Sequence, residues 1–170
     1  MRNRFSPACL TASINNRPFI METAVSHEDE TPYYHTRGVF PINNSSGFIL
    51  GIRRKSMLEE AQTRNERADH SQNDPEFDKK FFLTYNDQNS LSSALRSEHR
   101  RELLRYSDVE IYVRLEEIEW RRSGEIRDLA VIIRLNKLIL EMAQSIEQLH
   151  GNSKTYSERL ADEQKILHGI

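Results

Sequence analysis

The chain has 170 residues, with 24 Lys and Arg against 26 Asp and Glu, a formal net charge of −2. Its length predicts one domain with tails, and its charge balance excludes a broadly cationic nucleic-acid binder while leaving room for a local basic patch. One cysteine, Cys9, excludes an intramolecular disulfide framework and a Cys-clustered zinc site, and no apolar run reaches the length of a membrane span.

Residues 1–35 read as a disordered tail. The first 21 residues hold Arg2, Arg4 and Arg17 and no acid, as a mitochondrial transit peptide would, but Pro7 and Pro18 interrupt the helix such a peptide needs. A native start at Met21, or an unstructured extension, is the plainer reading, so the expected compartment is intracellular and cytoplasmic. Glu22 to His35 is acidic and then polar-aromatic, without a period.

Residues 36–55 predict a β-hairpin. Val39–Ile42 and Phe48–Ile52 are β-prone runs around Asn43-Asn44-Ser45-Ser46-Gly47, and Pro41 asks for a short or edge strand. Residues 56–89 read as a short helix (57–67) and a linker carrying one aromatic anchor, Phe81–Tyr85.

Residues 90–170 predict a helical domain. Glu, Arg and Leu dominate 91–122, and Glu110–Arg114 and Glu117–Arg121 have the i,i+4 spacing of helix ion pairs. Val109, Ile111, Val113 and Leu115 also alternate with polar residues at strand period, so strands at 108–120 and 126–135 are the alternative, in an α+β fold. From Glu125 to Leu149 apolar residues cover roughly 200° of a helical wheel, broader than a coiled-coil seam. Asn136 interrupts that arc, either as a buried register-setting residue or at its rim. Ser123-Gly124 breaks the two segments, and Thr155 with Glu158 forms a capping box for a last helix to His168. The expected fold is therefore mainly α: a C-terminal helical hairpin or three-helix unit beside a small β-hairpin.

The chemistry-bearing motifs are few. Neither a Walker loop nor a dinucleotide-binding glycine pattern occurs, no Gly-x-Ser-x-Gly elbow is present, and none of the six histidines pairs at i,i+4. His27-Glu28-Asp29-Glu30 has ligand-type residues, in a setting where solvated charge is the ordinary outcome. The expectation is a protein without enzymatic activity, cofactor or metal. An apolar helix too broad for a small chain to cover points to a helical protein-interaction module: an adaptor, scaffold or oligomerising subunit. Its interface would use Tyr106, Val109, Val113, Trp120, Leu135, Leu138, Met142 and Leu149 on helices 91–122 and 125–149. The alternative is a small nucleic-acid-binding regulator contacting phosphates through Arg53, Arg54, Lys55, Arg100 and Arg101.

Overall fold

A computed structural model of the chain describes residues 9–28, 31–56, 74–106 and 108–149. In chain order these hold β1 (Cys9–Ile14), β2 (Arg17–Glu28), β3 (Thr31–Pro41), β4 (Leu50–Arg54), α1 (Pro75–Lys80), β5 (Phe81–Tyr85), α2 (Gln88–Ala94), α3 (Ser97–Leu103), β6 (Val109–Val113), β7 (Glu117–Ser123) and α4 (Leu129–Gln148). The strands make one sheet in the order β1-β2-β3-β7-β6-β4-β5, with every neighbouring pair antiparallel.

This overturns the mainly α architecture expected from the sequence, a C-terminal helical hairpin or three-helix unit, and with it any coiled coil over the described residues. Residues 109–122, expected as helix, belong to the hairpin β6–β7; the alternation of Val109, Ile111 and Val113, all buried, prevailed over the helix propensity of Glu, Arg and Leu. The α+β alternative has strand character in the right place, but its single strand over 108–120 is two strands, β6 and β7, around a turn at 114–116. It fails for 126–135, most of which belongs to α4. Residues 9–14, 17–28 and 31–35, expected in a disordered tail, are strands of the same sheet. The expected hairpin over 36–55 also does not form: its two runs are β3 and β4, separated in the sheet by β7 and β6. The short helix at 57–67 and the last helix to His168 fall outside the described residues, as do the side chains of His27–Glu30.

The connection between β3 and β4 must cross the ends of two strands, and Asn44 secures it. Its Nδ2 donates to the carbonyls of Phe48 (2.6 Å) and Arg114 (2.8 Å), and its Oδ1 accepts from Phe48 N at 3.1 Å. Ile42 N donates to Glu116 O at 2.9 Å, so the crossing is tied to the β6–β7 turn at a second point. Pro41 ends β3, where its missing N–H costs the ladder least.

Helices cover one face of the sheet. Asp128 caps α4 by accepting from Ala130 N at 2.8 Å, and the helix lies against β3, β7, α2 and α3. Its Leu135, Ile139, Met142, Ala143 and Ile146 are fully buried against Phe40, Ile111, Ile118 and Trp120 of the shared core. Gly38 is needed opposite Trp120, because a Cβ there would stand 2.3 Å from the indole Nε1. That Nε1 donates to Asn136 Oδ1 at 2.9 Å, which makes Asn136 the buried polar link between sheet and helix. The broad apolar arc of α4 is thus met by its own chain. Of its large apolar residues, Leu129 and Ile133, near its first turn, are the ones left exposed.

Candidate binding face

The other face of the sheet carries no helix among the described residues. Strand alternation assigns to it the residues that the core rejects. The registers align Thr11, Ile20, Val39, Glu119, Tyr112, Gly51 and Thr84 in one row across all seven strands. The next row runs Cys9, Glu22, Arg37, Arg121 and Glu110. Arg53 and Phe82 pair on the same face at the β4–β5 end.

Glu119 is the centre of this surface. Its side chain is 0 % exposed although it leaves the sheet on the uncovered side, because guanidinium groups lie across it. Arg121 donates through Nε to Oε1 at 2.5 Å and through Nη2 to Oε2 at 3.3 Å. Arg114 Nη1 lies 3.3 Å from Oε2, and Arg37 Nη1 lies 3.6 Å from Oε1. Arg37 is also held by Glu22 at 2.5 Å and Arg114 by Glu117 at 2.5 Å. The bond to Glu119 pushes the Arg121 pKa further up, so this guanidinium stays charged at any working pH.

Aromatic rings lie under two of the arginines. Arg121 stands 5.2 Å from the centroid of Tyr112, and Arg53 stands 4.6 Å from that of Phe82, both within cation–π range. Burial and the neighbouring Glu110, which accepts from the Tyr112 hydroxyl at 3.1 Å, raise the phenol pKa and keep it protonated. His35, 5 % exposed, has its pKa lowered by burial and by Arg121 and Arg37, so its imidazole is neutral near pH 7. Ile20, Tyr33 and Phe82 add exposed apolar surface on this side.

A second concavity, of about 440 Å³, lies between α3 and α4. Glu102, Arg105, Arg134, Lys137 and Glu141 line it around His99. His99 Nδ1 is 3.0 Å from Ala94 O and therefore donates, leaving Nε2 directed at Glu141 from 3.8 Å. Desolvation lowers the His99 pKa and keeps the ring neutral. Among the described residues no cluster of three or more His, Cys, Asp or Glu is placed to hold a metal ion.

The residues singled out from sequence fall as follows. Tyr106, Val109, Val113, Trp120, Leu135, Leu138 and Met142 are core residues packed within this chain, and Leu149 at the end of α4 is half-buried. They come together, as an interior. Arg53 lies on the uncovered face and Arg54 beside it is exposed, while Lys55 donates to the Asp78 carbonyl at 2.7 Å. Arg100 is buried and Arg101 exposed in the helical layer, on the opposite side of the sheet. The two basic groups therefore do not meet. Arg37, Tyr112, Arg114, Glu119 and Arg121 went unnoticed as a site. The signal was present: at strand period Glu117, Glu119 and Arg121 share a face, whereas helical spacing paired only Glu117 with Arg121.

No helix among the described residues is long and apolar enough to cross a membrane. Compared with protein-family models and with curated proteins, the chain matches none.

Proposed function

We propose that this chain is a protein-interaction module whose docking surface is the uncovered face of the sheet. One observation carries the reading: arginines are fixed there in partly exposed positions, latched by acids and stacked on Tyr112 and Phe82. Arginine and tyrosine are the side chains that most often anchor protein interfaces, and holding them in place beforehand removes part of the ordering cost of binding. Glu22, Glu117 and Glu119 neutralise the arginines locally, so the face offers matched pairs for a polar protein surface and little net pull on a polyanion. The apolar faces of α4 and β6–β7 supply the core that keeps this face rigid.

The Arg53–Phe82 stack favours a second reading, in which single-stranded nucleic acid lies on the face with bases stacked on ring and guanidinium planes. Affinity capture from native lysate, with and without nuclease, separates the two. The protein reading expects a partner chain that survives nuclease and is lost from an Arg53→Ala, Phe82→Ala double variant. Loss on nuclease treatment, or binding of a labelled single-stranded oligonucleotide that weakens steeply with salt, overturns it in favour of the second.

A further inference from the structure

We infer that β1 is a self-association edge, and that a second copy of this chain continues the sheet through it. Among the described residues β1 pairs only with β2, so one side of its backbone lacks a strand neighbour. The turn Asn15-Asn16, with φ of 52° and 62°, is the two-residue hairpin type in which both central residues are left-handed. Such a turn makes Ile14 and Arg17 a hydrogen-bonded pair, and alternation then directs the backbone of Ala12 and Leu10 toward β2. The N–H and C=O groups of Cys9, Thr11 and Ser13 therefore point outward.

Among the described residues nothing protects this edge from pairing. Cys9–Ile14 contains neither proline nor charge, and its register with β2 runs through six consecutive pairs without a bulge. β5, at the other edge, is shorter and emerges directly from α1. A two-fold axis at Thr11 matches β1 to itself. Thr11 then faces Thr11 of the second copy, and Cys9 faces Ser13 of the second copy in both directions. All the outward backbone groups of Cys9, Thr11 and Ser13 find partners at once. The same register sets Leu10, 50 % exposed here, against Ala12 of the second copy on the helical side. The second copy matches the edge in length, and the two-fold pairing satisfies the same three residues on both chains at once. The symmetry is that of a closed dimer, and the continuous sheet buries both β1 edges.

Sedimentation equilibrium tests this with the full chain under reducing conditions. The expected result is a dimer at concentrations on the order of 100 µM, reverting to monomer in Thr11→Pro. Proline at 11 removes only an outward N–H, so the β1–β2 ladder and the circular dichroism spectrum are retained. A Ser13→Cys variant gives an independent readout. Its new thiol lies opposite Cys9 of the second copy, at the spacing of a hydrogen-bonded strand pair, and a mild oxidant should link the dimer covalently. Wild type, whose two Cys9 residues lie at opposite ends of the paired strands, should not link. A monomer throughout, a dimer indifferent to Thr11→Pro, or wild-type linkage through Cys9 each overturns the proposal.

Discussion

The contact between Trp120 and Asn136 shows how much a single buried polar pair constrains this fold. The indole Nε1 has its acceptor 2.9 Å away and a glycine across the strand to make room for the ring. Replacing Asn136 with Leu keeps the branched shape and the number of heavy atoms but removes the acceptor, which should cost about 1–3 kcal/mol in urea unfolding. Gly38→Ala should cost a comparable ~1–3 kcal/mol by displacing the ring. The two effects should not add, since both act on Trp120. Asn136 stood out in the sequence as a polar interruption of an apolar arc. Its partner did not, because Trp120 was read on a helix. On the other face, Glu119→Ala leaves three guanidinium groups without their shared carboxylate. The arginines are 30–51 % exposed and can turn toward water, so a loss of about 1–3 kcal/mol is expected, below that of a fully buried pair.

At the scale of elements, the β1–β2 hairpin is joined to α4. Arg17 opens β2 and donates from Nη1 and Nη2 to the two oxygens of Glu147, at 2.7 Å each, and Asn43 N donates to the same carboxylate at 3.1 Å. Both side chains are about three-quarters covered, and the bond keeps the Arg17 pKa raised. Arg17→Ala should destabilise by about 1 kcal/mol. It should also speed amide hydrogen exchange in β1 and β2 more than in β6 and β7. α4 was legible from its period alone, because one helix buries one continuous arc. β6 and β7 were not, because short strands rich in Glu, Arg and Leu satisfy helical spacing as well as alternation, and only their neighbours in the sheet decide between them. β1 to β3 were least legible. Their alternation is diluted by residues of the uncovered face, and long-range pairing, not local pattern, orders them.

For the whole molecule, the sheet divides, among the described residues, into a face covered by helices and a face that carries none. His35 and His99 are held neutral by burial, in the sheet and in the helical layer. Their folded pKa values lie below the ordinary 6.5, so the unfolded chain takes up more protons as acidity increases. Their neutral forms cost nothing well above pH 6.5, and stability should fall as pH drops through 6.5 toward the lowered folded values. His99→Leu should flatten that slope in denaturation midpoints measured from pH 8 to about 5. The partner's preference between the two sides of the molecule tests the central claim most directly. Titration calorimetry of the captured partner against Arg53→Ala, Phe82→Ala on the uncovered face and Leu129→Ser, Ile133→Ser on the helical side makes the comparison. Affinity should fall at least tenfold for the first pair and stay unchanged for the second; loss confined to the second pair would place the docking surface on the helical side instead.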